Sequence, residues 1–261
     1  MTTDSSGGAD PARTIALLWG NRQLPRRGPR HALTSEQVIT AAVEIADVDK
    51  DLTPLSMRRV AESLGVGTMS LYTYVTSRAE LVEAMLDSVY GEAVARLEKI
   101  RESDWREGLR RVAAVNWAMS LDHPWTLQIF TGRPPLGPNA IAKYDLELRD
   151  LDGIGLTDVE MDAAVTLVHT HVEGVARRKV EAERAERLTG ITDSQWWQDA
   201  GPALAEVFDP ERFPVADRVG RATGEAHQAA YNLEHEYVFG LDRLIEGLAA
   251  LIRRPPKSPS R

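Results

Sequence analysis

The chain has no cysteine among its 261 residues. That excludes disulfides, thiolate catalysis and any zinc site built on cysteine. It also lacks long apolar runs. None approaches the ~18 residues that a membrane-spanning helix needs, so no membrane partner is expected. The opening MTTDSSGGAD is small and polar, where a secretory leader would carry an apolar core, and the cytoplasm is the expected location. The nucleophile-elbow Gly-x-Ser-x-Gly, the P-loop and the Rossmann glycine pattern are all missing, so the sequence offers no enzymatic chemistry and no cofactor site. Long period-2 alternation and hairpin turns are missing too, which points to an all-α fold.

What is present is the composition of a folded globule, 43% hydrophobic and 27% charged. The net charge of −8 argues against a nucleic-acid partner when taken as a total. Its distribution argues otherwise. Arg13, Arg22, Arg26, Arg27 and Arg30 lie in a stretch with no acid, and the acidic excess begins beyond residue 80. Local sign decides what a surface meets.

Helix signals recur from residue 34 onward. Thr34 with Gln37 reads as a capping box, followed by an apolar stripe of Val38, Ile39, Ala42, Val43 and Ala46. Ser56 can cap a second helix that Gly65 ends. A short third helix is expected from about Thr68 to Tyr74. A fourth opens at Ser77, where Glu80 completes another box. The second and third helices are joined by Gly65-Val66-Gly67, a helix-turn-helix spacing. The third helix then carries Thr68, Ser70, Tyr72, Thr73 and Tyr74, all hydroxyl-bearing, in an acid-free stretch. An ordinary helix pair explains the apolar Val66 and Leu71 but not that hydroxyl face. Small hydroxyls let a helix approach base edges and phosphates. Arg58 and Arg78 flank the unit and can each hold a phosphate.

The run LTSEQVITAAVEIAD…LSMRRVAESLGVGTMSLYTYVTSRAELVEAM resembles the DNA-binding domain of the TetR family of transcription regulators over about residues 31 to 90. The resemblance implies DNA contacts at Arg58, Thr68, Met69, Ser70, Tyr72, Thr73, Tyr74 and Arg78, with Thr34 against a phosphate. Arg26, Arg27 and Arg30 would then follow the DNA backbone or enter the minor groove. EYVFGLDRLIEGLAAL (236 to 251) and TGRPP (131 to 135) resemble the tetracycline-repressor subclass. That likeness implies a dimer made by the long helix at about 158 to 187 and the last helix, through Gly240, Leu241, Leu244, Gly247 and Leu248. Glycines that pack helices within one chain are the competing explanation.

By the same likeness a ligand pocket would fall at Val112, Asn116, Ile129, Phe130, Arg133 and His169. The subclass holds a magnesium–tetracycline chelate through a histidine at the place occupied here by Ile129 or Phe130, so that effector is not supported. His169 and His171 point about 200° apart on a helix and cannot share an ion, although His169 and Glu173 at i, i+4 could; no metal site is expected. Trp196 and Trp197 read as packing residues, with one ring lining a pocket as the alternative.

The expected organisation is a flexible basic arm (1–30), a three-helix DNA-binding domain (31–80), a ligand-binding and dimerisation domain (81–252) and a disordered tail (253–261). The partners are operator duplex DNA, an unidentified small-molecule effector and a second copy of the chain. The rival reading is a helical small-molecule-binding or enzymatic protein whose helix-turn-helix no longer binds DNA.

Overall fold

The computed structural model describes residues 10–20, 33–99, 104–129 and 134–253. Among them are eleven α-helices, one short 3-10 helix and no strand. Arg26, Arg27, Arg30, Phe130 and Arg133 lie outside the described residues.

The head is built from α2 (Ser35–Asp49), α3 (Met57–Ser63) and α4 (Thr68–Leu71). The Thr34–Gln37 capping box forms in full, each side chain bonding the other residue's backbone N–H. Ser56 accepts from Arg59 N and caps α3. Val38, Ala42, Val60 and Leu71 are fully enclosed between the three helices. Glu80 departs from the expected box. Ser77 caps α5 (Arg78–Glu98), but the Glu80 carboxylate turns to Thr76, accepting from its Oγ1 at 2.8 Å.

Helix α5 belongs to two cores. Leu81, Met85 and Val89 pack with the head, while Ala93 and Leu97 pack with the C-terminal helices. That second core joins α6 (Trp105–Asp122), α8 (Asp158–Thr189) and α11 (Leu233–Ile252) through Leu109, Val165, Val168, Val172 and Ile245. Helix α7 (Pro138–Leu148) lies along α5. Moving the head therefore means moving a helix whose far end is buried in the second core.

Three expectations need correction. Residues 11–18 are not a free arm: α1 (Pro11–Leu18) is capped by Asp10 and docks on α5, with Thr14 and Leu17 buried. Its Trp19 Nε1 donates to Leu136 O at 2.8 Å. The signals were local ones, an Asp N-cap before a proline at the first helical position. Second, α10 (Pro214–His227) was not expected, and it begins with the same proline signal. Third, Trp196 is 55% exposed. Only Trp197 is covered, its ring lying beside Gly201 and Gly224 between α9 (Asp193–Val207) and α10. Neither α9 nor α10 contains a single buried residue.

Candidate DNA interface and effector cavity

The turn between α3 and α4 has the geometry a recognition helix needs. Gly65 sits at φ +65°, where a side chain is strained, and Val66 N bonds back to Ala61 O at 3.0 Å. Val66 packs on the head core as its apolar character requires. Helix α4 then emerges with its outer side open. Met69 is 80% exposed and Tyr72 40% exposed, and Ser70 and Thr73 are also exposed. Thr68 is half-buried. The regular helix stops at Leu71, earlier than expected, and tightens into i→i+3 turns at Thr73 and Tyr74.

The Tyr74 ring is half-buried against the head core. Arg78 is engaged within the head. Its guanidinium donates to Leu55 O at 2.9 Å and Leu52 O at 2.6 Å, clamping the connection between α2 and α3. Its fork is thus committed to backbone carbonyls within the head. Arg58 stays at the surface in an ion pair with Glu62 that an incoming phosphate can compete with. Thr34 is exposed at the start of α2.

Behind the head lies a cavity of about 540 Å³, bounded by α5, α6, α7 and α8. Its size falls within the usual range for small-molecule sites. One side of α8 faces it with Asp162, Thr166, His169, Thr170 and Glu173, a stripe at helical spacing. The opposite walls are Met119, Pro134, Pro135, Leu136 and Ile141.

At the inner end, Glu147 gathers three donors on one oxygen. Lys143 Nζ and Asn116 Nδ2 each lie 2.7 Å from its Oε1, and His169 Nε2 lies 3.0 Å away. The carboxylate is 1% exposed. Burial alone would push its pKa up. The charge of Lys143 and the bond and charge of His169 outweigh that, and hold it at about 2. A carboxylate ionised this firmly accepts only, so His169 carries its proton on Nε2. Above the network, burial and the nearby carboxylates of Glu173, Glu147 and Asp87 push the Tyr90 phenol well up.

Of the expected pocket residues, Asn116 and His169 reach the cavity. Val112 and Ile129 do not. Val112 is buried in the second core and Ile129 in the head core. Lys143, Glu147 and Tyr90 were missed, and Glu173 was weighed only as a metal ligand. The i,i+4 spacing of Lys143 and Glu147 was visible, but charged pairs at that spacing normally face water.

The dimer residues need a similar correction. A Cβ on Gly240 would sit 2.2 Å from His171 Cε1, so this glycine serves packing of α8 on α11 within one chain. His171 Nε2 also lies 2.9 Å from Tyr237 O. Leu241 and Leu248 are buried in the chain's own core, and Leu244 is half-buried. Gly247 alone of the five opens outward, with nothing near it. The outer faces of α8 and α11 instead present Leu167, Val238 and Phe239, the last two 55% and 54% exposed.

Two links join cavity to head. Asp87 of α5 accepts from Ala140 N at 2.9 Å and Asn139 Nδ2 at 3.2 Å, fixing the start of α7 to the lever. Beyond α6, His123 Nδ1 and Trp125 Nε1 converge on Asp47 Oδ1 at the end of α2. Among the described residues no group of three or more metal-binding side chains occurs, and no helix is long and apolar enough to cross a membrane.

Comparison with known proteins agrees with this architecture. Residues 99–252 match the family model for the tetracyclin repressor-like C-terminal domain. The chain is 38% identical over 260 residues to the HTH-type transcriptional repressor DrrR1 of Streptomyces coeruleorubidus, covering 99% of this chain and 93% of that one. It is 27% identical over 246 residues to the HTH-type transcriptional repressor Rv1353c of Mycobacterium tuberculosis, covering 92% and 88%. Among solved structures, a TetR regulator from Streptomyces coelicolor superposes with a TM-score of 0.63 at 25% identity, covering 85% of this chain and all of that one. ActR of the same organism, solved with actinorhodin, gives 0.68 at 24% identity over 84% and 97%. The chain belongs to the TetR family of transcriptional regulators, with a C-terminal domain of the tetracycline-repressor type.

Proposed function

We propose that the chain is a homodimeric repressor, without enzymatic activity, that holds a palindromic operator until a small molecule enters the cavity behind the head. The observation that carries this reading is the exposed, acid-free outer side of α4, set by the Gly65 turn on a head whose lever helix also walls the cavity. Thr68, Met69, Ser70, Tyr72 and Thr73 are the surface offered to the major groove, with Arg58 and Thr34 at its margins. Arg26, Arg27 and Arg30 add positive charge from the arm.

The mechanism is linkage. A ligand that fits the cavity better in one lever position shifts the population toward it, by no more than its differential affinity for the two positions. Displacement of α7 pulls Asp87 on α5, and displacement of the end of α6 pulls Asp47 on α2. Both tilt the two heads of a dimer away from the half-site spacing of their operator. The dimer face in this reading is the outer side of α8 and α11, where Leu167, Val238, Phe239 and Gly247 lie uncovered.

The test is selection of random duplexes by the purified protein, followed by mobility shift. An inverted repeat should emerge. Failure to enrich any sequence would sink the repressor reading in favour of a small-molecule-binding protein with a vestigial head.

A further inference from the structure

The cavity's charges are unequal. Lys143 is its ammonium, and that charge is spent on Glu147, as is the Nε2 proton of His169. Asp162 accepts from Tyr144 Oη at 2.7 Å. Glu173 has no hydrogen bond or ion pair among the described residues. Tyr90 lines the same cavity as Glu173, and its hydroxyl also makes no hydrogen bond among the described residues. An exposed, unpaired carboxylate and an unbonded hydroxyl thus line one cavity, and Met119, Pro134, Pro135, Leu136 and Ile141 supply its apolar wall.

Resting on the effector reading above, we propose that the cavity selects a cationic amphiphile, whose protonated amine is held by Glu173 and Tyr90 and whose apolar body lies along Met119, Pro135 and Ile141. The ammonium answers both open groups at once: it donates to the carboxylate and to the phenol oxygen, while the ring itself is already met by Lys143 Nζ at 5.2 Å from its centroid. An anion would meet Glu173 and Asp162 with no uncommitted cation among the described lining residues. Asp162 lies eleven residues from Glu173 on the same helix, about 16 Å along its axis, too far to share one amine.

The experiment uses three probes of one shape: 1-pyrenemethylamine, 1-pyrenemethanol and 1-pyrenecarboxylate. Binding to the full-length protein is read by fluorescence and calorimetry, without DNA. The amine should bind about tenfold tighter than the alcohol, with the carboxylate weakest, and the gap should narrow as salt rises. Glu173→Gln, at an exposed position, should bring the amine to within about twofold of the alcohol and leave the alcohol unchanged, whereas Asp162→Asn should preserve the amine's advantage. A preference for the carboxylate, binding of none of the probes, or a cation preference that survives Glu173→Gln would overturn the inference. A parallel arm measures release of the selected operator. Amine binding as expected without release would refute the effector reading while leaving the charge selection standing.

Discussion

Asp47 and His123 meet across the boundary between the head and the C-terminal domain, with His123 Nδ1 2.8 Å from Asp47 Oδ1. The same carboxylate oxygen accepts from Trp125 Nε1 at 2.6 Å. His123 Nε2 reaches Glu92 of α5 at 3.3 Å, so one imidazole touches both the head and the lever. In the proposed mechanism, a head held this way would tilt as a body with the end of α6.

Removing the shared acceptor tests that connection. Asp47→Ala leaves the Trp125 indole N–H and the His123 ring without their partner in a largely buried place. The expected loss is about 1–3 kcal/mol in urea denaturation. Effector-induced release from DNA should weaken as well, while the DNA affinity of the free protein changes little. Full stability with unaltered release would mean that the contact is incidental.

Glu147 ties stability to acid. Its carboxyl is held at about 2 when folded and returns to the ordinary range, near 4.5, when the chain unfolds. The stabilisation is therefore complete above about pH 4.5 and is lost as pH falls toward 2. A shift of that size corresponds to at most about 3 kcal/mol. Glu147→Gln should be less stable than the parent at pH 6, with the gap closing as the two are compared at progressively lower pH. Parallel curves across that window would contradict the assignment.

Side chains on and after α4 should fail in different ways. Thr68→Ala and Ser70→Ala should change base preference at one or two symmetric operator positions, each by about 1 kcal/mol, since a lone hydroxyl makes a single contact. Tyr72→Phe should weaken all sequences alike, because it removes a phosphate donor and keeps the ring. Tyr74→Phe should matter less for DNA, its ring being packed on the head. An operator-library measurement at fixed salt distinguishes these patterns. A changed consensus in the Tyr72 variant alone would require another docking of the helix.

Gly240 and Phe239 separate folding from assembly. Gly240→Ala drives a methyl into the His171 ring and should lower protomer stability by about 1–3 kcal/mol. Phe239→Glu places charge on the uncovered side of α11 and should shift sedimentation toward monomer without lowering the helix content. A fully dimeric Phe239→Glu protein would place the interface elsewhere.

The local parts of this structure were legible in the sequence because their signals are local. Thr34 with Gln37, Ser56, Ser77 and Gly65 each act within a few residues, and each does its expected work apart from the diversion of Glu80 to Thr76. The exposed side of α4 followed from them. The cavity did not. Whether Lys143 and Glu147 face water or each other depends on α7 packing against α5 and α8, and nothing in their i,i+4 spacing encodes it. Likewise Gly240 reads as a close-contact glycine in either setting, and only His171 opposite it decides which. Arg78 looked free for a phosphate until the carbonyls of Leu52 and Leu55 came within its reach.

The docking of α1 ties the N-terminal helix to the cavity. Trp19 Nε1 holds Leu136 O at 2.8 Å, and Leu136 is part of the cavity wall. Helix α1 also rests on α5, with Leu17 buried. A residue of the cavity wall is thus braced from outside by a segment more than a hundred residues away in sequence, and loosening α1 would soften that wall without touching any residue that lines it.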